Sequence, residues 1–305
     1  MISFRYHIVT IVAVFLALAV GLLAGSAFVQ PALQDELEQQ TEDLQRANDE
    51  LRRQIDEVRT ELASVQGFAE AALPYLAENR LLGTSAVIVA VDGVDEAVLG
   101  QTQQALAMGG TELVAVVAAR PSLVAEDAET QALLAEILGV PAAEPSELAA
   151  AAAAEVATRL ASGVDGESSE DDLLSRLLSA GFLDTTGSEG TLEEIGVPGQ
   201  IVVVLGGGPS EAPTLPPEAF AVPLVDELSL LGVPVAAGES TTTPAAVSFV
   251  AGVRDGGADG IVTVDDLDLS MGGAALVLGM DRLLATGVGG AYGIRDGAEP
   301  LPPLS

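Results

Sequence analysis

The sequence predicts an α/β protein: an N-terminal transmembrane helix, a coiled-coil helix, then a mostly parallel sheet domain covered by helices on both faces, with a helical insertion. Three observations carry this. Residues 8–29 form an apolar run without a charge. An apolar repeat set in acidic residues follows it. Beyond residue 82, short continuous apolar runs alternate with helix-length segments, the pattern of parallel strands buried on both sides. The implied parts are an anchor at 1–29, an acidic stalk at 30–80, an α/β domain at 81–295 with its helical insertion at about 126–181, and a loose tail at 296–305.

The first element is Ile8–Val29, IVTIVAVFLALAVGLLAGSAFV. A helix of this length reaches about 33 Å, enough for a hydrocarbon core of about 30 Å. Arg5 precedes it. Asp35, Glu36, Glu38, Glu42 and Asp43 follow before the next basic residue, Arg46. The positive-inside bias puts Met1–His7 in the cytoplasm and the rest outside, with membrane lipid contacted through residues 8–29. A cleaved signal peptide is the competing reading, with Ala24-Gly25-Ser26-Ala27 as the small-residue cut site. The run is longer than a signal core, which favours an uncleaved anchor. His7 reads as an interfacial residue.

Pro31 interrupts the chain, and a heptad stalk begins. Leu37, Leu44, Leu51, Val58 and Val65 occupy one seam position (d). Gln34, Thr41, Asn48, Ile55 and Leu62 occupy the other (a). Asn at a selects parallel dimers, because two such side chains pair in the seam. The stalk therefore predicts a homodimer or higher homo-oligomer. The alternative is a single amphipathic helix packed on its own domain. Gly67 and Pro74 mark the end of the seam.

In the globular part, strands are expected at Ser85–Val91, Thr111–Ala118, Ile201–Leu205, Val233–Ala237 and Gly260–Val264. Helices are expected at Asp95–Met108, Pro217–Leu231, Pro244–Arg254 and Ser270–Ala285. The block Glu126–Leu138, Ser146–Leu160 and Glu170–Leu178 reads as the inserted helical cap, with a polar linker at Val164–Glu170. Three prolines in Pro300–Ser305 predict a loose end.

The residue inventory excludes several kinds of chemistry. Twelve basic residues, all arginine, face 45 acids, for a net charge of −33. Nucleic-acid binding needs the opposite balance. With no cysteine and one histidine, thiolate metal sites, Cys nucleophiles and a Ser-His-Asp triad in the soluble domain drop out. The chain reads as non-enzymatic and without a cofactor. Gly206-Gly207-Gly208 follows a strand, but Pro209 comes next and no lysine exists, so a tight turn is favoured over a phosphate loop. Gly287–Gly293 follows a helix and fits that role less well.

Acids gather at the expected C-terminal strand ends: Asp92, Glu239, Asp265, Asp266 and Asp268. Ligands of open α/β sheets bind along that edge, and convergent carboxylates hold Mg²⁺ or Ca²⁺. The plainer reading is that they cap helices and solvate loops. Met108, Met271 and Met280 read as core filler, not as a soft copper site.

Both ends carry a resemblance. Met1-Ile-Ser-Phe-Arg-Tyr-His7 running into Val14–Gly21, the acidic heptad stalk, Val264-Asp-Asp-Leu-Asp268, the Gly273–Leu284 helix and Ala291-Tyr-Gly293 resemble the actinobacterial copper transport family MctB. The resemblance implies an envelope protein serving copper efflux and copper homeostasis. It further implies placement in the outer membrane, copper ions as cargo, and pore formation. The alternative from the residues themselves is a non-catalytic coiled-coil dimer whose α/β head docks envelope partners.

Overall fold

A computed structural model describes residues 4–163, 172–185, 192–197, 199–257 and 260–303. The linker expected at Val164–Glu170 lies outside them. Two compact units divide the chain, Met1–Val65 and Gln66–Ser305.

The first unit belongs to one helix, α1 (Phe4–Ala77), which continues into the second. It does not break at Pro31, nor at Gly67 or Pro74. A proline removes one hydrogen bond and crowds the preceding turn, and the Ala, Leu, Glu and Gln around it are strong enough helix formers to carry the backbone through. Ala77, at the end of α1, and Leu81 belong to the core of the second unit.

The second unit is built on one sheet. Its strands are β1 (Ser85–Val91), β2 (Glu112–Ala119), β3 (Leu183–Thr185), β4 (Ile201–Leu205), β5 (Val235–Gly238), β6 (Ile261–Val264) and β7 (Gly290–Tyr292). The order is β3-β2-β1-β4-β5-β6-β7. Every pair is parallel except β2 with β3. The expected strands are present within two residues at each end. β3 and β7 are additional: each is three residues long, too short to show a period.

Both faces are covered, which is why the strands read as unbroken apolar runs. Val87, Val89, Val91, Val202 and Val204 pack under α3 (Ala128–Leu138), α4 (Pro145–Ser162), α5 (Leu173–Ser179), α6 (Ala221–Leu230) and α7 (Phe249–Asp255). Ala86, Ile88, Ala90, Val203 and Leu205 face α2 (Glu96–Met108) and α8 (Ser270–Thr286). The block read as an inserted cap is therefore part of a covering layer. The alanine run of α4 lets it lie close to its neighbours, with Ala149, Ala152, Ala153 and Ala157 fully buried. Arg159, also buried, donates to the carbonyls of Ile195 (2.8 Å) and Leu192 (2.9 Å) and pairs with Asp172.

Two expected helices are shorter. Prolines 216 and 217 hold a turn, so α6 begins at Ala221. The segment 244–254 splits into a short 3-10 turn and α7, where the Ser248 hydroxyl accepts from the Ala251 amide as the N-cap.

The last crossover has an unusual hand. β1–α2–β2 and β6–α8–β7 run across the same face in opposite directions along the sheet, so their hands are opposite. The α6 and α7 crossovers run the same way as α8 but over the other face. They share the hand of β1–α2–β2, the common right-handed one, and the α8 crossover reverses it. Small residues let α8 sit there. A Cβ at Gly273 would come 3.1 Å from Ala105 of α2, and one at Gly279 would come 2.9 Å from Val262 and the Tyr292 ring.

The C-terminal segment is held to the sheet as far as Leu301. Glu299 exchanges backbone hydrogen bonds with Gly293 and Ala291, both 2.9 Å, and Leu301 packs against the core.

Candidate functional site

The strand order reverses direction between β1 and β4, which opens a crevice outside their C-terminal ends. A cavity of about 120 Å³ lies there, lined by Asp92, Gly93, Gly206–Gly208, Thr214 and the proline-rich loop to α6. Asp92 accepts from the Thr214 hydroxyl at 2.9 Å. Its other oxygen is 4.0 Å from Arg120, whose guanidinium is hydrogen-bonded to Asp184. That bond holds the Asp184 carboxyl below the usual range.

The triple glycine has a packing role. A Cβ at Gly206 would lie 2.7 Å from the Phe249 ring, one at Gly207 would lie 2.7 Å from Thr243, and one at Gly208 would strike the Gly93 carbonyl. The glycines let two loops and α7 close on one another. Beside a carboxylate, with Arg120 already engaged by Asp184, the crevice disfavours a phosphate group.

The second acidic group is buried. Glu239 follows β5 and is fully enclosed. It accepts from the Ser248 hydroxyl at 2.6 Å and the Val250 amide at 3.2 Å, and pairs with Arg295 at 3.2 Å. Asp265 follows β6 and is equally enclosed. It pairs with Arg254 at 2.7 Å and accepts from the amides of Ile294 (2.8 Å) and Arg295 (3.2 Å). Arg254 also donates to Thr263 and to the Tyr292 carbonyl. Asp268 accepts from the Thr241 amide and hydroxyl at 2.7 and 2.6 Å. These bonds tie β5, β6, β7 and α7 together at one end of the sheet.

Asp266 differs from its neighbours. It is 2% exposed, and its Oδ1 has no hydrogen-bond partner. Burial, and then the nearby charges of Asp265 and Asp268, push its carboxyl up to about 7. Burial also raises Glu239, against the opposing pull of the Ser248 hydroxyl and Arg295.

The five acids singled out in the sequence thus do not form one site. Glu239, Asp265, Asp266 and Asp268 share the β5–β6 end. Asp92 lies two strands from β5, about 10 Å at ordinary strand spacing. Among the described residues, no group of three or more acid or histidine side chains is placed to hold a metal ion. Of the five, Glu239 reaches a helix N-terminus, through the Val250 amide of α7. The side chains that cap α2 and α3 are Asp95 and Asp127. Arg254, Arg295, Ser248 and Thr241 escaped the sequence reading. Their one signal was scarcity: with twelve arginines in the chain, a buried acid must draw on very few partners. Of the methionines, Met280 is fully buried and Met108 packs on the core.

The family described as "Copper transport outer membrane protein, MctB" matches residues 1–303. Proteins named "Copper transporter MctB" are similar over nearly their whole length. The one from Mycobacterium tuberculosis is 28% identical over 315 residues, covering 98% of each chain. The one from Mycobacterium leprae is 29% identical over 334 residues, covering 99% of each.

Proposed function

Because the chain belongs to the MctB family, we propose that it serves copper efflux at the cell envelope as a membrane-anchored protein. The match over residues 1–303 carries this reading, since it takes in the apolar segment, the stalk and the sheet domain together. Tyr6–Leu23 supports the anchor. It is helical, long and apolar enough to cross a membrane, and none of it is buried. Arg5 on one side and the acidic run from Asp35 on the other favour a cytoplasmic N-terminus and an extracytoplasmic sheet domain. Outer-membrane placement rests on the family description.

Copper enters this reading as cargo. Met280 and Met108 are engaged in packing, and Met271 is a lone half-buried thioether, so most contacts fall to surface oxygens, which bind weakly and release readily. A pore, in this reading, belongs to several copies. The described strands have three to eight residues, and a bilayer-crossing strand needs about 9–11. A single helical span encloses no channel.

The test is genetic. In cells that naturally carry this chain, deletion should raise cell copper and lower copper tolerance, and the full chain should restore both. Unchanged copper content and tolerance after deletion would refute the reading.

A further inference from the structure

We propose that residues 41–65 of α1 are the docking surface for a second copy of this chain, joined parallel and in register as a two-stranded coiled coil. This goes beyond the copper reading and does not depend on it.

The exposed apolar side chains carry the inference. Leu44, Leu51, Ile55, Val58, Leu62 and Val65 are each about half exposed or more, from 49% to 72%. They fall on the a and d positions of one seven-residue repeat, with Asn48 at a between Leu44 and Leu51. A helix alone in water gains nothing from such a stripe, and a partner with the same stripe buries both.

The charges select that partner and its direction. The ion pairs on this segment avoid the a and d positions: Arg46 with Asp43 at 2.9 Å and Glu42 at 3.8 Å, Arg53 with Glu50, and Arg59 with Asp56 at 3.8 Å. Arg52 and Arg59 flank the seam at e, while Ala47, Gln54 and Glu61 flank it at g. In a parallel pair each e residue meets the preceding g residue of the other helix. Arg52 then faces the partner's Ala47, and Arg59 faces the partner's Gln54. Antiparallel pairing sets e against e and opposes arginines. Asn48 fixes the register, because only the in-register parallel pair places it opposite the partner's Asn48. The segment is about 37 Å long, near the lower limit for an independent coil. Two copies held in one membrane by the apolar stretch of the same helix would raise their effective concentration.

The chain has no cysteine, so one introduced thiol reports only on its own position. In the full chain in detergent, Leu44→Cys and Val65→Cys should each form disulfide-linked dimers under mild oxidation. Arg53→Cys, on the outer face, should form at least tenfold fewer. Ile55→Asp in the native background should halve the mass measured by light scattering while the far-UV spectrum keeps its helix signal. Three results would overturn the proposal. The first is a cross-link only between a Leu44→Cys copy and a Val65→Cys copy, which marks antiparallel pairing. The second is cross-linking as strong at position 53. The third is a monomeric mass for the native chain, which leaves the stripe to its own domain or to another protein. None of these readouts involves copper, so this proposal and the copper reading fail separately.

Discussion

Aspartate and glutamate appear in two settings in this protein, with opposite consequences. On α1 those from Glu42 to Glu61 are solvated. Arg46 and Asp43 pair with side chains 72% and 67% exposed. At the β5–β6 end of the sheet, Asp265 and Glu239 are fully enclosed, and each is met by an arginine and by backbone amides or a hydroxyl. In water an ion pair gains little over its hydrated partners. Inside the protein, removing one partner strands a charge that has already lost its water. The acids of α1 therefore set solubility and surface charge, and the sheet-end acids hold the fold.

The sharpest way to break this comparison is to remove one buried partner. Arg254→Ala leaves Asp265 without its guanidinium and frees the Thr263 and Tyr292 contacts. It should cost about 3–5 kcal/mol, read as a lower urea midpoint for loss of the sheet domain. A cost below 1 kcal/mol would place this pair with the surface ones.

The next effect depends on pH. Asp266 titrates near 7 in the folded chain against an ordinary value of 3.8. The folded state therefore favours its neutral form. Its contribution to stability is greatest below about pH 4, falls as pH rises toward 7, and levels off above that. For one proton the slope is at most about 1.4 kcal/mol per pH unit. Asp266→Asn, neutral throughout, should flatten this part of the curve and be more stable than the native chain at pH 8. Urea midpoints at pH 4.5, 6 and 8 check this. Curves that stay parallel would mean that Asp266 is charged in the fold.

The smallest effect should come from α1. Arg46→Ala removes an exposed pair and should change stability by no more than about 0.5 kcal/mol, less still in high salt. A loss above about 1 kcal/mol would show that Arg46 has a partner besides Asp43 and Glu42.

Much of the fold was legible in the sequence, because burial on both faces writes itself into a strand. Val87, Val89 and Val91 serve one face and Ala86, Ile88 and Ala90 the other, so β1 reads as an unbroken apolar run. Helix α2 was legible through its ends, with Asp95 accepting from the Ala97 amide and Gly109 closing the last turn. The three-residue strands were not. β7 pairs through Gly290, Ala291 and Tyr292, and only the neighbouring β6 makes those residues a strand. The candidate site was half legible. The acids were found, but not their arginines, because Arg254 reaches Asp265 from the preceding helix, α7, and Arg295 reaches Glu239 from beyond β7.

The sequence by itself determined the apolar N-terminal segment, the heptad stripe, the α/β class and a sheet domain without cysteine or histidine. These follow from composition and period, which need no knowledge of what lies across the core. The tertiary structure decided the strand order, the reversed crossover of α8, the pairing of each buried acid and the separation of Asp92 from the other four. Those depend on which surfaces meet, and a buried charge takes its partner from whatever the packing brings within reach, however far along the chain it lies.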